Sequence, residues 1–482
     1  MLPAYTPANT EKFVNDLATE TFLRLWSYSN PYKLQRAAKK GDGKELCDLL
    51  IIFENNIIII SEKGAPHSAA SVDLSWTRWF NKKVFRSLKQ VQGAERWIRE
   101  FPDRIFQDKE CTQRLYVDFE TEKDLVFHRV CVAHGINQLC LHMLPERGGR
   151  LKIKPRITGS AHIDTKHPCY EPFAIGDICP EENYTHVFDF FTLVNIIRQV
   201  DTIPDFVNYL SQRADFIRSG HLLSVIGEEN LLSDYLRNTD SKGKHCFRSA
   251  KNSFYPRLIP DGSYHELIND SRYINEKNRQ RLSYAWDDLI RRLIDNHFNK
   301  TDVQVIGDRP NLSDLELALR EMARMSRFER GVLTDAHFQV LNNTSIKKRG
   351  FRMIGDPNGE DFGGVGFLFF VMSPRNPLFA DKTYDEYRQA RILYLDLYAR
   401  AVLQKLSHMQ KIVGIAREPL NHDGVSEDLI YVEQHDWSRE DIEKTQEHCK
   451  KLGILGVFSP QRVNVEEYPS GKDYSITFPI SE

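Results

Sequence analysis

The chain has no run approaching the ~20 apolar residues that a membrane span requires. Its first residues, MLPAYTPANTEKF, do not place a basic start before an apolar stretch as a secretory signal does. Its eight cysteines, at positions 47, 111, 131, 140, 169, 179, 246 and 449, form no CxxC pair and no even framework. That excludes a disulfide-stapled scaffold and fits thiols kept reduced in a cytoplasm. Charge of one sign is also missing: 65 Lys and Arg face 67 Asp and Glu, for a net charge of −2. Nothing pulls the chain as a whole toward nucleic acid, so any such binding needs a local patch. There is no internal repeat, no low-complexity segment, and no helicase, ATPase or methyltransferase motif. What remains is a 482-residue chain that is 41% hydrophobic and 27% charged. It can bury a large core, divides by length into about two to four domains, and reads as soluble and cytoplasmic.

The most informative stretch is Gly41–Gly64, GDGKELCDLLIIFENNIIIISEKG. Leu49–Phe53 reads as a strand, Asn55-Asn56 as a tight turn, since asparagine tolerates positive φ, and Ile57–Ile60 as a second strand. The isoleucine run is apolar on both faces, as in the middle of a covered sheet. Polar groups collect at the strand ends. Glu45 and Asp48 precede the first strand, and Ser61-Glu62-Lys63 closes the second. A hairpin sets the start of one strand beside the end of the next, so Asp48 and Lys63 are predicted neighbours.

This arrangement resembles the core of the restriction-endonuclease-like nucleases, the PD-(D/E)XK superfamily, in which an Asp opens one strand and a (D/E)-x-K triplet ends the adjoining one. The resemblance covers mainly residues 11–100. It implies a Mg²⁺ site, with Mn²⁺ able to substitute, because hard cations favour oxygen ligands. The metal would activate a water for phosphodiester hydrolysis, and a lysine would stabilise the developing charge. Carried onto this sequence, Asp48 is the metal-binding Asp, Lys63 the catalytic Lys, and Glu45, or Glu20 on the first helix, the additional carboxylate. Ser61 stands where the superfamily has an acidic residue. Alternation puts Ser61 and Lys63 on one face and Glu62 on the other. Three outcomes follow: Glu45 supplies the missing oxygen, a bulge turns Glu62 inward, or the site is degenerate. The plain alternative to all three is a buried hairpin with solvated polar ends.

A first helix is predicted over Glu11–Tyr28, with Phe13, Leu17, Thr21 and Leu25 on one stripe and Glu20 at its edge. After a small-residue loop, Lys63–Leu74, a second helix capped by Ser75 runs to about Arg99. Trp76, Phe80, Val84, Leu88, Val91 and Ile98 mark its buried face. Arg78, Lys82, Arg86, Lys89 and Arg96 recur at helical spacing as a basic stripe, suited to a phosphate backbone or simply a solvated face. Gln90 lies where some members of the resembled superfamily place a Gln that contacts the site.

His128, Cys131, His134, Cys140 and His142 lack the paired spacing of a zinc site and read as a strand entering a helix. His162, Asp164, His167 and Cys169 fall in a proline-marked loop. A strand at Phe173–Ile178 precedes helices beginning at Thr192 and Pro204. Lys242–Ser253 reads as a basic loop, and helices capped at Ser313 and Thr334 follow. In the last third, strands are predicted at Arg352–Gly355, Gly366–Met372, Ile412–Ala416 and Leu429–Val432. Helices are predicted at Tyr384–Ser407 and after Ser438. The Gly-rich DPNGEDFGG lacks the lysine and spacing of a P-loop.

The whole predicts a mixed α/β (α+β) chain in three parts. Residues 1–220 form a nuclease-like mixed sheet flanked by helices, 221–342 a mainly helical region, and 343–482 an α/β module for sensing or partner binding. The expected function is a metal-dependent nuclease acting on DNA or RNA, as an effector of bacterial defence against foreign DNA, alone, as a homodimer or with a partner protein encoded nearby. The rival is a degenerate nuclease fold that binds nucleic acid or a protein, or a ligand-sensing regulator centred on the C-terminal module.

Overall fold

The computed structural model describes residues 7–35, 43–64, 71–119, 123–240, 244–248, 256–298, 305–306, 312–355, 364–406, 408–420, 426–434 and 437–454. Most of the loop after Lys63, the DPNGEDFGG turn and most of the basic loop 242–253 lie outside these residues. The chain is mixed α/β and divides into two compact units, Met1–Ile274 and Asn275–Glu482. Among the described residues no helix is long and apolar enough to cross a membrane.

In the first unit, α1 (Pro7–Phe22) leads into β1 (Ser27–Ser29), β2 (Tyr32–Leu34), β3 (Gly43–Glu45), β4 (Leu49–Phe53) and β5 (Asn56–Lys63). Helix α2 (Val72–Trp79), a π-helical turn (Phe80–Val84) and α3 (Phe85–Glu100) then run on without a break. Next come β6 (Ile105–Phe106), β7 (Val126–Ala133), α4 (Ile136–Met143), β8 (Lys152–Thr158), β9 (Ala174–Asp177) and β10 (Thr185–Phe188). The unit closes with α5 (Phe190–Gln199), α6 (Ile203–Arg218), β11 (Leu222–Ile226), α7 (Glu228–Arg237), β12 (Arg257–Leu258) and α8 (Ser263–Ile268).

The main sheet has the order β1-β4-β5-β7-β10. β4 pairs antiparallel with β1 and β5, whereas β5, β7 and β10 are parallel. Parallel pairing requires a crossover, and α2–α3 provides it, packing on β5 and β7. Helices α5 and α6 also pack on this sheet. Covered in this way, Ile57–Ile60 are at most 1% exposed, each side chain contributing roughly 1.5–3 kcal/mol of burial. A second sheet, β12-β11-β8-β9, and a three-stranded sheet, β3-β2-β6, complete the unit.

Two local predictions are corrected. The hairpin turn is Glu54-Asn55, because Phe53 pairs with Asn56 and Glu54 takes the left-handed φ of 55°. Asn55 instead ties the turn to the β7 side, its Nδ2 donating to Asp124 O at 3.1 Å. The first helix ends at Phe22, short of Tyr28, since Leu23 turns left-handed (φ 66°) and Ser27–Ser29 pairs with β4. Sheet pairing overrides the helical stripe there.

The second unit begins within α9 (Ser271–Gln280) and continues through α10 (Tyr284–Phe298), β13 (Val305–Ile306), α11 (Leu312–Ala323) and α12 (Arg327–Asn343). β14 (Arg349–Ile354), β15 (Val365–Met372), α13 (Tyr384–Lys405), β16 (Lys411–Arg417), β17 (Glu427–Glu433) and α14 (Arg439–Leu452) follow. The sheet order is β13-β17-β16-β15-β14. Alternation along β15 sends Leu368, Phe370 and Met372 into the core shared with α13, and Phe367 and Phe369 toward Trp286 of α10.

The region 221–342 is therefore not one unit. Helices α7 and α8 stay with the N-terminal sheets, and α10 to α12 cover the C-terminal one. Thr334 lies inside α12, which is capped by Ser326 through a capping box with Glu329.

The C-terminal core holds a polar hub. Arg391, fully buried, donates from Nε to Asp428 Oδ2 at 2.6 Å and lies 2.9 Å from Glu418 Oε1, while Arg388 reaches Asp428 Oδ1 at 2.5 Å. Arg391→Met strands buried carboxylates and is expected to cost about 3–5 kcal/mol. Hydrogen exchange should show β15 and β16 amides losing that protection while β4 and β5 amides keep theirs. Unchanged protection in β15 would show the hub to be dispensable.

Candidate nucleic-acid interface

The ends of β4 and β5 meet as the hairpin requires. Asp48 Oδ2 accepts from the Glu62 backbone N–H at 2.7 Å and from Lys63 Nζ at 3.2 Å. Lys63 Nζ also donates to Glu62 O at 3.0 Å. One carboxylate thus fixes both the strand end and the lysine that leaves it.

Pairing of β5 with β7 runs unbroken from Asn56↔Val126 to Lys63↔Ala133, so no bulge turns Glu62 toward Asp48. Glu62 points to the other face, its carboxylate 7% exposed, with Oε1 2.5 Å from His134 Nε2. The Phe190 ring lies against that imidazole at 5.5 Å. Ser61, on the Lys63 side, is fully buried and donates to Gln90 Oε1 at 2.9 Å, with Ser87 Oγ at 3.3 Å. Gln90 therefore reaches the strand end through the serine.

The other predicted ligands are not brought together. Glu45 lies exposed on β3, in the separate three-stranded sheet, and Glu20 is exposed on α1. Among the described residues no three His, Cys, Asp or Glu side chains are grouped to hold a metal ion. Of the four predicted carboxylates only Asp48 faces Lys63, with Oδ2 already engaged twice. Mg²⁺ requires a near-octahedral oxygen shell, and this donor set does not fit it. Cys131 is buried beside Ser61 in register, His128 Nε2 meets Asn56 Oδ1 at 3.2 Å, and His142 is exposed on α4.

The structure does assemble a group of cations. Arg78, Lys82, Arg86, Lys89 and Arg96 are all exposed along α2–α3. Between them the π-helical turn carries Lys83, which is 7% exposed. Seven Lys and Arg residues are buried among the described residues: Lys83, Arg129, Arg213, Arg327, Arg330, Arg388 and Arg391. Each of the six arginines is held by a carboxylate. Among the described residues no ion pair holds Lys83. Burial, and then the like charges of Arg86, Lys82 and Lys63, lower its ammonium below the ordinary lysine range.

Trp79 Nε1 and Trp76 Nε1, donating to His134 O at 2.9 Å and His162 O at 2.7 Å, anchor the helix on which this turn sits. His162 is itself locked, Nδ1 against Gly159 O at 2.8 Å and Nε2 accepting from Gly176 N at 3.0 Å. Lys83 was legible only as a lysine three residues after Phe80, on the arc that otherwise faces the core.

Comparison of the chain with protein-family models, with curated proteins and with solved structures returns no match.

Lys83→Met is expected to raise the melting temperature of the free protein, by about 2 °C per kcal/mol of relieved repulsion. A folded-state pKa below the unfolded one means the unfolded chain binds more protons in the window between them. Wild-type stability therefore rises with pH there, and the advantage of Met shrinks toward about pH 10. Thermal melts at neutral and alkaline pH test this, and a lowered melting temperature would mean that Lys83 stabilises the free fold.

Proposed function

We propose that the N-terminal unit binds nucleic acid, DNA foremost, through its phosphate backbone at the ends of β4 and β5 and along α2–α3. The observation that carries this reading is Lys83, a buried ammonium among Lys63, Lys82 and Arg86 that no carboxylate pairs with among the described residues. Such a group is unfavourable alone and favourable once a phosphate sits among the cations. Asp48 has a positioning role, holding Lys63 at the rim of the cluster. Gln90, half-buried and accepting from the Ser61 hydroxyl through Oε1, keeps its amide N–H groups beside it.

The restriction-endonuclease-like resemblance enters on the same residues. An Asp beginning one strand, a Lys ending the next and a Gln on the following helix together support a nuclease-like scaffold. With Glu62 turned away and Glu45 and Glu20 elsewhere, the scaffold is read as one that holds a backbone without a built metal site. The eight cysteines, all free thiols, suit the reducing cytoplasm in which bacterial defence against foreign DNA operates. A second reading, hydrolysis with Mg²⁺ or Mn²⁺, is favoured by one observation, the 3.2 Å approach of Lys63 to Asp48.

Binding to DNA and RNA is to be measured by fluorescence anisotropy, alongside cleavage assays with Mg²⁺, Mn²⁺ or EDTA, for wild type, Asp48→Ala, Lys63→Ala and Lys83→Met. The expected result is salt-sensitive binding that weakens about tenfold in Lys63→Ala and Lys83→Met, with no cutting in any buffer. Metal-dependent cutting abolished by Asp48→Ala and Lys63→Ala would replace this reading with the hydrolytic one. Binding indifferent to Lys83 would remove both its basis and the reading.

A further inference from the structure

A second cluster of uncompensated cations lies at the far end of α3, built from residues that are remote in sequence. β2 and β3 pair antiparallel with Lys33 directly opposite Lys44. Directly opposed residues have Cβ atoms about 5 Å apart and project from the same face, and like charges so placed repel. Arg96 of α3 joins them as a third like charge acting on Lys33. Lys33 is half-buried, its Nζ held 5.1 Å over the Trp97 ring, whereas Lys44 and Arg96 are exposed. No ion pair with a carboxylate holds any of the three among the described residues, in a unit where Arg99, Arg129, Arg147, Arg150, Arg213 and Arg218 are all paired.

Helix α3 joins the two clusters. Arg86, Lys89 and Arg96 recur at steps of three and seven, which keeps them on one helical face. Arg86 and Arg96 are ten residues apart, or about 15 Å along the axis. A nucleic-acid strand advances about 3.4 Å per phosphate, so that distance spans about four base steps.

We infer that Lys33, Lys44 and Arg96 form a second phosphate-contact station, and that a nucleic-acid backbone runs along α3 from the Lys63–Lys83 cluster to the small sheet. The inference rests on the proposed function and adds the course and minimum length of the ligand. The three-stranded sheet then has a purpose beyond packing: it carries two lysines to a place α3 alone cannot reach. The Lys33 ammonium, steadied on Trp97, faces the strand with little freedom left to lose.

The test compares a trinucleotide, too short to span both stations, with a dodecanucleotide, each as DNA and RNA, by anisotropy over a salt series. The proteins are the full chain, the triple variant Lys33→Ala/Lys44→Ala/Arg96→Ala, the single variant Lys44→Glu, and Lys83→Met. The triple variant is expected to lose roughly tenfold to a hundredfold in dodecanucleotide affinity. Its log–log salt slope should flatten by about two to three, and trinucleotide binding should hold. Lys44→Glu should raise the melting temperature while weakening the dodecanucleotide, which a variant that merely misfolds could not do. If the triple variant binds the dodecanucleotide as wild type does, while Lys83→Met is weakened, the second station is wrong and the proposed function stands. If wild type binds neither probe, or neither cluster matters, both fall.

Discussion

Four consecutive isoleucines with no exposed face set the terms for the N-terminal unit. A strand apolar on both sides can sit only in the middle of a sheet that is covered above and below. β4 and β7 flank it, and helices close the faces. Because β7 runs parallel to β5, the chain has to cross back over the sheet between them, and that crossover is α2–α3. The basic helix is therefore not an attachment beside the hairpin. It is the connection the isoleucine strand demands, and its position over the polar ends of β4 and β5 follows from the topology.

Buried charge is handled in two ways in this molecule. In the cores it is neutralised in pairs and triads, such as Arg213 with Glu228 and Arg330 with Asp287. These cost desolvation but leave no net charge. On the crossover and on the small sheet the pattern reverses. Lys83 is surrounded by its own sign, and Lys33 and Lys44 face each other across two strands. Among the described residues no ion pair with a carboxylate holds Lys83, Lys33 or Lys44, in a chain whose net charge is −2. Asp48 is the exception that gives the cluster its shape, since it holds one lysine fixed while the others remain uncompensated.

Much of this was legible in the sequence. The β4–β5 pair, the approach of Lys63 to Asp48, the inward face of Ser61 and the C-terminal strand–helix order follow from continuous apolar runs, strand alternation and caps, all local signals, whereas Gln90 was marked only by the resemblance. What escaped depends on distant partners. β10 (Thr185–Phe188) had no strand predicted for it, and its pairing with β7 makes it one. Leu23 and Glu54 adopt left-handed backbone that neither side chain announces. Glu45 was expected to supply the additional carboxylate because it precedes the first strand beside Asp48, yet Leu46 and Cys47 carry the chain from one sheet to another between them. The facing of Lys33 and Lys44 is a register fact, invisible without knowing that β2 and β3 pair.

The π-helical turn at Phe80–Val84 has a mechanical meaning. Five residues are spent where an α-helix would wind on with fewer, so the helix after it is rotated against the helix before it by roughly one residue's angle, about 100°. The turn works as a phase shifter inside one rigid rod. The tryptophans of α2 dock on His134 and His162 while Leu88, Val91 and Ile98 of α3 are buried against the sheet. Lys83 sits at the seam, where the two phases overlap and the winding is widest. Cutting one residue from the seam would leave composition and charge almost untouched and put the two halves of the rod out of step.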